Sequence, residues 1–185
     1  MFRLLTTVIG ISLLLASFNT WARDYQLELI VFQRLNSSEE IEEHWTHESN
    51  QVVKHQQELK AISTSSTVIA DQNVAGVNRL KRLEDNLLKS GYRVLHSMHW
   101  QQPAKQFHQA PIIRINNPAN GLDGVLKVYK TALIFADINL GFTDTFQQNP
   151  DPIYFIQEKR RMKFKEVHYF DHPRYGAILT VWPAD

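Results

Sequence analysis

Apolar and polar positions change their period several times along this chain, and the changes mark its elements. In residues 24–33, Tyr25, Leu27, Leu29 and Val31 alternate with Gln26, Glu28 and Ile30, and the run then turns apolar on both sides. That pattern predicts a strand, half exposed at its start and buried towards its end. Ser37 and Glu40 match a capping box, with further acids through position 43 where a helix dipole favours them. A short helix is therefore predicted over about 38–47, with Ile41 and Trp45 facing inward. Residues 49–62 fit helical spacing only loosely, and 63–67 read as a polar linker. Over 71–90 the helical pattern is clear: Val74, Val77, Leu80, Leu83 and Leu87 recur at three- and four-residue steps. Asp71 or Asn73 stands where it can cap this long helix, and Gly91 stands where a glycine ends one.

From there the period becomes two. Tyr92, Val94, His96, Met98 and Trp100 share one face of a strand over 92–101, and a shorter strand follows at 110–116. Asn117-Pro118 and Asn120-Gly121 form a turn with capacity for positive φ. Residues 124–142 read as one long strand, apolar on both faces and so central in a sheet. A polar loop at 143–152 leads into the stretch 154–182, which holds a basic strand, a polar turn and an apolar closing strand. Strands joined by turns pair antiparallel. The order predicts an α+β fold: an antiparallel sheet of about five to six strands, with one long and one or two shorter helices packed on one face.

The first residues stand apart from this pattern. Arg3, the uncharged apolar run 4–18 and Thr20-Trp21-Ala22 have the layout of a cleavable secretory signal peptide, so residues 1–22 are expected to be removed and 23–185 to form a single domain. The apolar run is shorter than the about 20 residues a membrane helix needs, and no later stretch approaches that length. A periplasmic location follows from the export signal. The chain has no Cys, which excludes thiol catalysis, disulfides and thiolate metal sites. Its formal net charge of +1 supplies no global field towards nucleic acid, so electrostatic recognition must come from a local patch.

The basic run 159–165 is that patch, and the residues after it concentrate the candidate chemistry. Lys159, Arg161, Lys163 and Lys165 share one strand face, while Arg160, Met162, Phe164, Glu166 and His168 share the other. His168 and His172 would lie roughly 13 Å apart on an extended strand, and Glu166 and Asp171 fall on opposite faces. Neither arrangement makes a ready metal site or carboxylate pair, and no metal or other cofactor is expected. None of the common nucleophile, zinc-protease, phosphate-loop or dinucleotide motifs is present. Binding is the better reading, with Arg160, Arg161, Glu166, His168, Tyr169, Asp171 and His172 as the candidate contacts: arginines for carboxylates, His168 and Tyr169 for sugar or peptide faces. Two alternatives stand beside it. One is a partly buried Arg160–Glu166–His168 network with a structural role; the other is a metal-dependent or acid–base envelope hydrolase using His168, Asp171 and His172.

Arg160-Arg161-Met162, followed by Glu166-x-His168-Tyr169-x-Asp171-His172-Pro173-x-x-Gly176, resembles the C-terminal signature of the CsiV-like family of exported proteobacterial proteins. The first strand ending in Val31-Phe32-Gln33, the segment Ser90-Gly91-Tyr92-Arg93-Val94-Leu95-His96 and Trp100-Gln101 are similar in the same order. The resemblance implies a non-enzymatic, periplasmic peptidoglycan-binding protein. It would support cell-wall assembly and cell shape, through a peptidoglycan synthase or its outer-membrane activator.

Overall fold

The computed structural model describes residues 24–35, 57, 68–69, 78–143 and 154–184. Two β-sheets face each other across one apolar core. The first has the order β3-β1-β9-β8, with β1 Asp24–Arg34, β3 Tyr92–Pro103, β8 Val167–Asp171 and β9 Tyr175–Pro183. The second has the order β2-β4-β5-β6-β7, with β2 Val68–Ile69, β4 Ile112–Asn117, β5 Leu122–Lys130, β6 Ile134–Phe142 and β7 Tyr154–Met162. Every pairing is antiparallel except the two-residue β2, which runs parallel to β4. Among the described residues one α-helix, α1 Lys81–Lys89, lies on the outer face of the first sheet. The α+β expectation is thus corrected to a mostly-β, two-sheet architecture. The short helix predicted over 38–47 falls outside the described residues.

Strand alternation builds the core. Tyr25, Leu27, Leu29 and Val31 of β1 meet Ala177, Leu179 and Val181 of β9 on the inner face of one sheet. Leu126, Val128, Ala136, Ile138 and Leu140 line the inner face of the other. The outer face of β1 is also apolar at Ile30 and Phe32, which with Ile178 receive Leu80, Leu83 and Leu87. β1 is therefore buried on both faces and hydrogen-bonded on both edges.

Two expectations fail for identifiable reasons. The helix predicted over 71–90 is much shorter, because residues 78–80 are not helical and Leu80 is the N-cap. Its start is held from outside: Glu28 of β1, read from the alternation as half exposed, is 3% exposed. Its Oε2 accepts the Leu80 backbone N–H at 2.8 Å, and Oε1 lies 3.3 Å from Nη1 of Arg79. A carboxylate here satisfies an N–H that the first turn leaves unpaired and sits at the positive end of the helix dipole. Arg79 also bonds Gln26 and covers the Trp182 ring at 4.5 Å. At the other end the expected glycine holds, with Gly91 at φ 79°.

The long strand expected over 124–142 is a hairpin, β5 and β6, reversed at residues 131–133. A continuous strand of that length would extend about 60 Å, far beyond a domain of this size. The single face expected for 92–100 is also divided. A β-bulge between the Val31 and Phe32 register pairs leaves Leu95 extra in β3. Tyr92 and Val94 pack on the helix side, while Leu95, Met98 and Trp100 enter the core.

Side chains close the two open sides of the sandwich. On the β3 side, buried Gln102 donates to the Val128 carbonyl at 2.8 Å and accepts from Trp100 Nε1 at 2.9 Å, and Asn117 donates to the Leu95 carbonyl at 2.6 Å. On the β8 side, Arg160 Nη1 donates to the Tyr169 carbonyl at 2.7 Å.

Replacing Glu28 tests the strand-to-helix clasp. Glu28→Ala leaves a buried N–H and Arg79 without their carboxylate, so it is expected to lower the unfolding free energy by about 1–3 kcal/mol. A shift of the urea midpoint at unchanged slope would show it, and an unshifted midpoint would exclude the clasp as a stabilising contact.

Candidate functional site

The predicted residues lie on β7, on β8 and in the turns that flank β8, and β7 and β8 belong to different sheets. β7 is an edge of the second sheet and β8 an edge of the first. The basic run is correspondingly cut. Strand geometry ends at Met162, and the following turn holds Lys165 at φ 63°, so only Lys159 and Arg161 share an outer strand face. The turn folds back onto the sandwich: the Lys165 N–H donates to the Val181 carbonyl at 3.0 Å, and Phe164 meets Tyr25 edge-on at 5.4 Å.

The seven candidates separate into five settings. Arg160 pairs opposite Ala136, on the inner face of β7. Its guanidinium holds Glu158 at 2.6 Å and 2.7 Å, bonds the Tyr169 carbonyl and lies 5.0 Å from the Phe170 ring centre. Arg161, opposite Phe135, is exposed on the outer face. Glu166 is exposed in the turn, 3.3 Å from Lys163 Nζ, and His168 Nε2 accepts the Lys163 backbone N–H at 3.0 Å. The alternative Arg160–Glu166–His168 network does not form, because Arg160 takes Glu158 from its own strand and Glu166 takes Lys163 from its own turn.

Tyr169 and Asp171 come together on the outer face of β8, and the sequence reading missed their third member. Arg34, at the end of β1, donates from Nη2 to the Tyr169 hydroxyl at 2.7 Å and to Asp171 Oδ1 at 2.9 Å; the hydroxyl donates to the same Oδ1 at 2.6 Å. Burial, together with the bond to Asp171, pushes Tyr169 up to about 12. Its ring stacks on Phe32 at 6.1 Å over Gly176, where a Cβ would come within 2.5 Å of Phe32 Cζ and 2.8 Å of Tyr169 Cε2. Arg34 and Asp171 lie more than a hundred residues apart, so spacing carried no signal for their meeting.

His172 lies at the far end of the turn, buried among Tyr154 and Tyr175 at ring distances of 5.3 Å and 5.9 Å. Its Nδ1 accepts the Arg174 N–H at 3.2 Å, and burial lowers its pKa below the ordinary 6.5. His168 and Asp171 occupy opposite faces of β8, so His168, Asp171 and His172 do not converge on one point. Among the described residues no group of three or more His, Cys, Asp or Glu is placed to hold a metal ion.

Arg161 belongs to a broader surface, the outer face of the second sheet. Cross-strand register forms two adjacent rows there: Lys127–Asp137–Lys159, and Tyr129–Phe135–Arg161. Tyr129 and Phe135 stack at 5.7 Å, and Phe107 meets Tyr129 edge-on at 5.0 Å. Lys127 Nζ lies 4.2 Å from the Phe107 ring centre, and Lys159 Nζ lies 5.5 Å from that of Tyr129. Burial lowers the Lys127 pKa, whereas a hydrogen bond with Tyr129 raises that of Lys159. Reading 124–142 as one strand hid this face, since only the hairpin brings Lys127 opposite Asp137 and Tyr129 opposite Phe135.

A family model described as the peptidoglycan-binding protein CsiV matches residues 2–184. The chain belongs to the CsiV family. No curated protein and no solved structure matches it significantly. No described helix is long and apolar enough to cross a membrane.

Two substitutions separate frame from surface. Arg160→Ala opens the seam and is expected to cost about 1–2 kcal/mol, discounted for its partial exposure, whereas Arg161→Ala is expected to stay within about 0.5 kcal/mol. Equal effects in thermal unfolding would contradict this division. His172 sets a pH window. The unfolded chain takes up its proton near pH 6.5 and the native state only at lower pH, so stability present above 6.5 falls as pH drops towards the native value. The stability difference between wild type and His172→Gln is expected to shrink below pH 6.5; a pH-independent difference would contradict burial of a neutral imidazole.

Proposed function

We propose that this protein is an exported, non-enzymatic component of the cell envelope that binds peptidoglycan and supports wall assembly. The carrying observation is the match of residues 2–184 to a family described by that binding. The signal-like residues 1–22 support a periplasmic location. Cell-shape maintenance and action beside a peptidoglycan synthase or its outer-membrane activator are the finer parts of the same proposal.

The settings of the candidate residues suit binding. Arg161, Glu166 and Asp171 are exposed to solvent, each in its own setting, while Arg160, His168, Tyr169 and His172 hold the strands and turns around them. Arg161 is suited to a carboxylate, since a guanidinium presents a planar fork of donors to two oxygens. A rigid sheet presenting such side chains binds with little ordering cost.

Purified protein mixed with isolated sacculi is expected to sediment with them and to release no soluble wall fragments. Protein remaining in the supernatant at moderate salt would overturn wall binding, and fragment release would overturn the non-enzymatic reading.

A further inference from the structure

We propose that the wall-binding surface is the outer face of the β5–β6–β7 sheet, and that it recognises the carboxylates of the peptidoglycan stem peptides rather than the glycan alone. This inference rests on the peptidoglycan reading and adds a location and a ligand chemistry to it.

The argument is one of charge and shape. The chain as a whole is nearly neutral, at +1. On this face, however, Lys127, Lys159 and Arg161 surround the single carboxylate of Asp137 within two neighbouring rows. One acid cannot neutralise three cations, so the rows keep a local positive excess that suits anionic groups. The cations are also placed. Lys127 rests against the Phe107 ring and Lys159 against Tyr129, so apolar surface backs both ammonium groups. Such backing limits the freedom that each side chain loses when an anion docks.

The aromatic row supplies the second half of the site. Phe107 is 40% exposed and Leu133, at the hairpin tip, is also 40% exposed. Phe107, Tyr129 and half-buried Phe135, in ring contact one after another, form an apolar strip beside the cations. A short peptide bearing carboxylates and methyl side chains matches that combination, with acid groups on Lys127, Lys159 and Arg161 and apolar groups on the strip. A glycan strand without its peptides carries at most the lactyl carboxylate of each muramic acid, whereas a stem peptide brings several carboxylates close together. The surface is built on three hydrogen-bonded strands, which sets neighbours within each row about 5 Å apart and the two rows about 7 Å apart along the strands.

The test uses exposed positions, so that binding and folding are read separately. Lys159→Glu combined with Arg161→Glu reverses two charges on the face, and Arg82→Glu combined with Lys89→Glu does the same on α1. Each protein is sedimented with intact sacculi, alone and in the presence of an excess of isolated stem peptide or of soluble glycan strands released by an amidase, and its thermal midpoint is recorded. Wild type and the α1 variant are expected to bind intact sacculi equally, while the sheet variant loses about tenfold in affinity at an unchanged midpoint. Isolated stem peptide is expected to displace wild type from the sacculi more effectively than glycan strands do, and Phe107→Ala to weaken binding to intact sacculi. If the sheet variant binds intact sacculi as wild type does, the location is overturned. Displacement by glycan strands as effective as by stem peptide overturns the ligand chemistry. If wild type does not bind intact sacculi, the peptidoglycan reading itself fails, and that result differs from the other two.

Discussion

Every layer of this molecule is built against β1. It pairs with β3 on one edge and β9 on the other, and it is buried on both faces. Its inner side chains meet the second sheet, and its outer ones meet α1. A strand enclosed in this way tolerates polar groups only where they are paired, because an unpaired buried carboxylate is strongly unfavourable. Glu28 meets that condition by holding Leu80 and Arg79, and so a single side chain connects the central strand to the start of the helix. Arg34, at the other end of β1, ties the Tyr169–Asp171 corner to the same strand.

Among the described residues, no strand pairing joins the two sheets at either open side of the sandwich. Gln102 and Asn117 reach carbonyls across one side, and Arg160 reaches the Tyr169 carbonyl across the other. These bonds assign structural work to residues that a list of polar candidates would treat as ligands. Arg160 and Arg161 are neighbours with opposite duties, because successive strand residues face opposite ways. One joins the sheets, and the other stands in the cationic and aromatic rows of an open face.

Much of the strand pattern was legible. The alternation in residues 24–33, the strand after Gly91, the turn at Asn120-Gly121 and the closing apolar strand appear where the periodicity placed them, whereas the basic strand stops at Met162 and the expected polar turn holds the strand β8. The misplaced elements share one physical cause. The reversal at 131–133 reads Thr-Ala-Leu, with no Gly, Pro, Asn or Asp, so no turn-forming residue marked it. Residues 78–80 continue a helical spacing, yet Glu28 captures Leu80 and fixes the start of the helix at Lys81. The bulge at Leu95 likewise leaves no trace in composition, although it turns Tyr92 and Val94 towards the helix.

The sequence by itself determined that this is a Cys-free, nearly neutral, strand-rich chain whose polar candidates crowd its C-terminal stretch, and its motifs carried the family resemblance. Those properties depend on residue types and local spacing, which survive without contacts. Only the tertiary structure decided that the strands divide between two sheets, that β7 and β8 part company after the turn, and that Arg34 completes the Tyr169–Asp171 cluster. It alone also set Lys127, Asp137 and Lys159 in one row. Each of these depends on the register of residues distant in sequence. Side-chain alternation has the same period in every strand, so it states which way a residue points but not which strand lies beside it.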